Sequence, residues 1–305
     1  MPFYVMDDQS KLFVREIGQG KPTLILSGLG MSSWQWLPFI ASNIKKHRFY
    51  IPDFRGFGQS KDCKIPTKLS AIESHWQDIE CLLKQLNVPQ FDVIAYSMGA
   101  TTTMHGLKYG NFSKYIDRYL HIDQTPKIKN SDDWPYGLFG HKQPSFLALI
   151  QQILELLYPH QERIWIKNLP KETQAKLSAL WSDFMRLQKD HPQPLLEKIT
   201  QNQLFLKLQP RLLPLQRLDY IVWYLKTYLE HDEDYRPAIT QLDRPTEFII
   251  GHQSTLYPYQ GQVTIANQLE HAEIRMMNKS GHVPLMNEPL KFRRTLQRFL
   301  EKTEK

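Results

Sequence analysis

Residues able to do chemistry are concentrated in a few short segments. In Phe91-Asp92-Val93-Ile94-Ala95-Tyr96-Ser97-Met98-Gly99-Ala100 an apolar run leads into small-x-Ser-x-Gly and then a helical stretch. That order predicts a tight strand-to-helix turn displaying Ser97 as a nucleophile, with Ala95 and Gly99 as the small residues a crowded turn requires. Ala95 stands where glycine is more usual, and the motif alone is also matched by a serine that merely caps a helix. Leu26-Ser27-Gly28-Leu29-Gly30 ends an earlier apolar run, and its glycines let backbone N–H groups approach a substrate oxygen. An elbow nucleophile takes one oxyanion donor from the residue that follows it and one from such an early loop, which designates the N–H groups of Met98 and Leu29. Ser280-Gly281-His282-Val283-Pro284 lies near the other end of the chain. His282 follows Ser97 in the order nucleophile then histidine, and an imidazole can accept the serine proton near neutral pH.

These segments need a scaffold, and the hydrophobic pattern supplies one. Thr23–Leu26, Phe49–Ile51, Phe91–Ala95, Tyr119–Ile122, Glu247–Ile250 and Glu273–Met277 are short apolar runs, as expected of strands in a parallel sheet covered on both faces. Helix patterns separate them at Trp34–Lys45, Ser70–Asn87, Gly99–Tyr109 and Pro289–Glu301. The fold class is therefore α/β, with a mostly parallel central sheet flanked by helices. Between residues 126 and 236 the alternation stops. Leu149, Ile150, Ile153, Leu154, Leu156 and Leu157, then Leu177, Leu180, Trp181, Phe184 and Leu187, recur at helical spacing. Prolines at 159, 170, 192, 194, 210 and 214 divide this stretch into several helices. Because strands resume at Glu247, 126–236 reads as a helical cap inserted into a core of residues 1–125 and 237–305. Trp134, Trp165, Trp181 and Trp223 with Tyr136, Tyr158 and Phe184 make that cap aromatic, suited to covering an acyl or aromatic group while packing on itself.

The loop Asp53-Phe54-Arg55-Gly56-Phe57-Gly58-Gln59-Ser60 follows the Phe49–Ile51 strand, and Asp53 and Arg55 are expected to tie it into the scaffold below the site. Taken in order, the segments at 27–30, 53–60, 95–99 and 280–282 resemble the α/β-hydrolase superfamily, in particular its capped, esterase-like branch. The resemblance spans nearly the whole chain. It implies a serine hydrolase cleaving a carboxylic ester or thioester through an acyl-enzyme, with Ser97 as nucleophile and His282 as base. Serine at the elbow distinguishes it from the dehalogenase and epoxide-hydrolase branches, whose nucleophile is aspartate.

One part of the family pattern is missing. The triad acid is usual in a glycine-x-x-Asp setting after the strand that follows the cap, where this chain reads Gly251-His252-Gln253-Ser254. Ser254 cannot support an imidazolium electrostatically, so either the acid has moved, or the dyad works without one, or catalysis has been lost. Asp123 is the preferred replacement, because it ends the Tyr119–Ile122 strand and carboxyl ends of parallel strands face the crevice. Asp232 and Asp234 sit in an acidic run that reads as a solvated face, and His252 lies near the same edge without a partner motif. A protein that has lost catalysis and uses the covered pocket to bind a small molecule is the reading from another class. Lactonases, cofactor-free haloperoxidases and carbon–carbon bond hydrolases use similar machinery.

Composition narrows the rest. The chain has 305 residues, 41% of them hydrophobic, and a formal charge of +7. The basic charge is spread along the chain rather than patched, which argues against a nucleic-acid groove binder, while an acidic carrier protein bearing the acyl group would suit it. Neither a run of about 20 apolar residues nor a signal-peptide pattern is present, so no membrane span is expected. Cys63 and Cys81, the only cysteines, are read as lying on the polar side of the pattern and suit a reducing, cytoplasmic setting. No metal-ligand spacing, Walker loop or dinucleotide fingerprint appears, and the expected chemistry needs no cofactor.

Overall fold

The computed structural model describes residues 2–188 and 216–302. An 8-stranded sheet runs in the order β1-β2-β4-β3-β5-β6-β7-β8. Its strands are β1 (Phe3–Val5), β2 (Lys11–Gly18), β3 (Lys21–Leu26), β4 (His47–Pro52), β5 (Phe91–Tyr96), β6 (Ile116–Ile122), β7 (Thr246–Gly251) and β8 (Ala272–Met277). From β4 to β8 every neighbouring pair is parallel, and β1 and β2 add an antiparallel edge. The α/β class and mostly parallel sheet are as the apolar runs indicate. The edge was not anticipated: Lys11–Gly18 carries Lys11, Arg15 and Glu16 and lacks the unbroken apolar run of a strand covered on both faces.

Side chains alternate across the sheet and build two cores. Leu24, Leu26, Val93, Ala95 and Tyr119 face one side, packed against Trp76, Ile79 and Leu82 of α2 (Ala71–Leu86). Ile25, Ile94, Leu120, Ile122 and Ile249 face the other, against Trp36, Ile40 and Phe292, Leu296 and Phe299. This period of two is what the pleat imposes. A capping box starts α2, with Glu73 N–H donating to Ser70 Oγ at 3.3 Å and Ser70 N–H donating to Glu73 Oε2 at 2.8 Å. The helix expected over Trp34–Lys45 is shorter, a 3-10 turn at Ser33–Trp36 followed by α1 (Leu37–Ile40).

After β5 comes α3 (Met98–Tyr109), and between β6 and β7 the described elements are helical: α4 (Gln143–Leu157), α5 (Lys171–Leu187), α6 (Leu218–Glu230) and α7 (Arg236–Thr240), with short 3-10 turns. The prolines at 192, 194, 210 and 214 lie outside the described residues. The chain closes with α8 (Tyr259–Ala266), α9 (Pro284–Asn287) and α10 (Pro289–Glu301). Cys63 is buried beside Met6 and Leu12 rather than on a polar face, and both thiols are free. Burial pushes the Cys63 thiol up to about 11. No helix among the described residues is long and apolar enough to cross a membrane.

Register places the functional segments together. Leu26 pairs with Ala95, Tyr96 with Ile122, and Ile122 with Ile249. The carboxyl ends of β3, β5, β6 and β7 therefore stop along one edge of the sheet, and the loops leaving them share one crevice.

Candidate active site

Ser97 occupies the single residue between β5 and α3, at φ 51° and ψ −119°. A non-glycine residue there is strained, and strain of this kind persists where the surroundings over-determine it. They do so from both sides. Ser97 N–H donates to Ile122 O at 3.0 Å, and α3 lies so close to β3 that a Cβ on Gly99 would be 2.2 Å from Leu26 O. The Ser97 side chain makes no helix-capping bond. Its Oγ instead lies 3.0 Å from His282 Nε2.

His282 sits in the turn between β8 and α9. Tyr96 O–H donates to its backbone oxygen at 2.9 Å, and the Tyr96 ring stacks on the imidazole at 5.4 Å between centroids. Tyr257 meets the same imidazole edge-on at 5.1 Å. With its face and edge held, the ring has one orientation, and Nδ1 points at Asp123 Oδ2 at 2.8 Å. A carboxylate can only accept, so Nδ1 carries the proton and Nε2 presents its lone pair to the Ser97 hydroxyl.

Asp123 follows β6 directly, fully buried, at φ 42°. Its Oδ1 accepts from Gly251 N–H at 2.8 Å and from Gln262 Nε2 at 3.2 Å. Its Oδ2 accepts from Ser254 Oγ at 2.7 Å as well as from His282. The residue in the slot where an acid is usual is thus a hydrogen-bond donor to the aspartate that ends the neighbouring strand.

Met98 is the first residue of α3, so its N–H has no acceptor within the helix and points out of the positive helix end. The early loop comes up against the same point. A Cβ on Gly28 would be 2.8 Å from the Tyr96 ring and 3.3 Å from Ser97 Cβ, so only glycine permits this approach. Met31 N–H donates to Gly28 O at 3.2 Å and turns the chain around Leu29, whose side chain is exposed.

The other candidates lie elsewhere. Asp234 is bound to Arg236 at 3.0 Å, Asp232 is exposed, and His252 is exposed and stacked on Tyr259 at 4.5 Å. Asp53 accepts from Ser33 N–H at 2.5 Å and from Gln59 N–H at 2.8 Å, and Arg55 makes a two-point pair with Asp78 at 2.6 and 2.7 Å. Both therefore brace the loop, as expected. Trp134 and Trp223 are buried in packing, whereas Tyr158 is exposed. Tyr96, Tyr257 and Gln262 were missed by sequence reasoning. Tyr96 lay in plain view beside Ser97, but Gln262 sits 139 residues from Asp123 in a helix without a motif.

Comparison with known proteins bears on the family. A family model described as alpha/beta hydrolase fold matches residues 21–289. A pimeloyl-[acyl-carrier protein] methyl ester esterase of Vibrio atlanticus is 24% identical over 93% of this chain and 96% of its own length. One of the same name from Nitrosomonas europaea is 21% identical over 93% of this chain and 97% of its own. Among solved structures, an esterase of Exiguobacterium antarcticum superposes with a TM-score of 0.72 at 18% identity, covering 99% of each chain. With an elbow serine, a sheet of this order and a model match spanning most of its length, the chain belongs to the α/β-hydrolase fold family.

Proposed function

We propose that this protein is a serine ester hydrolase whose nucleophile is Ser97. The observation that carries this reading is the unbroken relay from Ser97 Oγ to His282 Nε2 at 3.0 Å and from Nδ1 to Asp123 Oδ2 at 2.8 Å. In the proposed mechanism Oγ attacks the acyl carbonyl carbon while Nε2 takes its proton. Asp123 holds the imidazole in the required tautomer and stabilises the imidazolium that forms. The N–H groups of Met98 and Leu29 stabilise the oxyanion, and Nε2 returns its proton to the departing alkoxide or thiolate. Water, activated by the same imidazole, then attacks the acyl-enzyme and releases the carboxylic acid and free Ser97. Residues 126–236 serve as the cap over the acyl group.

The names of the two curated relatives support an ester as substrate, and a methyl ester on a carrier-bound acyl chain is the specific candidate. The net charge of +7 suits an acidic carrier. Asp123 in hydrogen-bond contact with His282 weighs against a receptor that has lost catalysis.

The test is intact mass after treatment with a fluorophosphonate, which reports an activated serine without presupposing the substrate. One adduct, absent from Ser97→Ala, is expected. A folded wild type that stays unlabelled would sink the reading. The carrier is tested separately by comparing hydrolysis of one acyl methyl ester, free and carrier-borne, over a salt series. Equal rates for both would dismiss it.

A further inference from the structure

All four acceptor positions of the Asp123 carboxylate are taken. Oδ1 accepts from Gly251 N–H and Gln262 Nε2, and Oδ2 accepts from Ser254 Oγ and His282 Nδ1. The Ser254 hydroxyl also accepts from Tyr257 N–H at 3.4 Å, which leaves its own hydrogen for Asp123. Gln262 gives its other N–H to Tyr257 O at 3.0 Å, and its Oε1 is buried without a partner. An orphaned buried acceptor is costly and asks for an explanation. Turning the amide over would aim Oε1 at the carboxylate, so the unpaired oxygen follows from keeping both donors on Asp123 and Tyr257. Backbone strain at Asp123, with φ 42°, converges on the same side chain.

We infer that Ser254 and Gln262 are positioning residues that fix both oxygens of Asp123, so that one lone pair of Oδ2 meets His282 Nδ1. The inference rests on the triad proposed above. A carboxylate with two acceptor positions free could rotate about its terminal bond and lose that alignment. Donation from Ser254 also withdraws charge from Oδ2. Removing it leaves a more basic carboxylate facing the imidazole, stabilises imidazolium in the free enzyme, and moves the acidic limb of the pH–rate profile to higher pH.

The experiment measures p-nitrophenyl butyrate hydrolysis from pH 5 to 9, with thermal melts, for wild type, Ser254→Ala, Ser254→Thr, Gln262→Met and Asp123→Asn. Ser254→Ala is expected to lower kcat by roughly 10–100-fold, the range typical of groups that orient a catalytic ligand, with KM within about threefold. Its acidic limb should move up, and Ser254→Thr, which keeps the hydroxyl, should recover most of the loss. Gln262→Met tests the other oxygen should Ser254→Ala fail to fold. Wild-type kcat and an unmoved limb in folded Ser254→Ala and Gln262→Met, while Asp123→Asn is inactive, would overturn this inference alone. Full activity in Asp123→Asn would remove the triad reading and the positioning roles with it.

Discussion

At the scale of single residues, the site depends on two positions whose substitution has a defined consequence. Asp123→Asn keeps the shape of the side chain but presents an amide where Nδ1–H needs an acceptor. The imidazole then favours the tautomer that turns an N–H toward Ser97, and kcat should fall roughly 10³–10⁴-fold with little change in melting temperature. A loss below tenfold would show that His282 works without its carboxylate. Gly28→Ala acts differently. Its Cβ would be 2.8 Å from two carbons of the Tyr96 ring. That ring cannot yield easily, because its hydroxyl is bonded to His282 O and its face is stacked on the imidazole. The early loop must move instead, carrying the Leu29 N–H away from its proposed place in the oxyanion hole. A fall of roughly 10²–10³-fold in kcat is the size expected for one lost donor. Steady-state kinetics of a folded Gly28→Ala variant at the wild-type rate would exclude Leu29 from the oxyanion hole.

At the scale of elements, the close contact of α3 with β3 sets where Ser97 stands. Gly99→Ala would put a methyl group 2.2 Å from Leu26 O, a backbone atom held in the sheet. The helix must lift, and overpacking of this kind costs about 1–3 kcal/mol, readable as a lower urea midpoint at constant slope. An unchanged midpoint would mean that α3 has slack. Elements whose environment is uniform were the legible ones. All six residues of β5 are buried, and a short apolar run followed by a glycine turn is the signature of such a strand. Lys11–Gly18 was missed because its charges find partners in space: Glu16 accepts from Tyr4 O–H and Arg48. In the Trp34–Lys45 stretch the apolar pattern was visible, but regular helix holds only through Ile40. Of the site, Ser97, His282 and the glycine loop at 27–30 were legible as local motifs. Asp123 needed a topological argument, since it is identified by where its strand ends. Gln262 carried no signal at all, because its role comes from the packing of α8.

At the scale of the whole molecule, buried histidines join the layers and set the acid limit of the fold. Helix α6 seats on the core through Trp223 Nε1 donating to Leu69 O at 2.9 Å and Ala71 N–H donating to Thr227 Oγ1 at 2.9 Å. Between them Tyr224 donates to Arg55 O at 2.7 Å and lies 2.9 Å from His75 Nε2, whose ring stacks on Phe54 at 4.3 Å. Burial pushes His75 down to about 3, and His121 in β6 and His231 after α6 each down to about 4. All three lie below the ordinary value of 6.5, so the unfolded chain binds more protons than the folded one as the pH falls. Their contribution is complete above pH 6.5 and is lost downward through the folded values. Each group costs at most about 1.4 kcal/mol per pH unit, a slope approached only once the unfolded imidazole is charged, so together they remove several kcal/mol as the pH falls to 5, a large fraction of the stability of many domains. Urea unfolding at pH 7, 6 and 5 should therefore show a decline, offset in part by Asp78, whose carboxyl burial pushes up to about 6. His75→Phe keeps an aromatic ring against Phe54 and leaves Tyr224 its bond to Arg55 O, and it should flatten the decline without abolishing it, since burial also lowers His47, His105, His121 and His231. A slope unchanged by that substitution would place the acid sensitivity elsewhere than at the junction of α6 with the core.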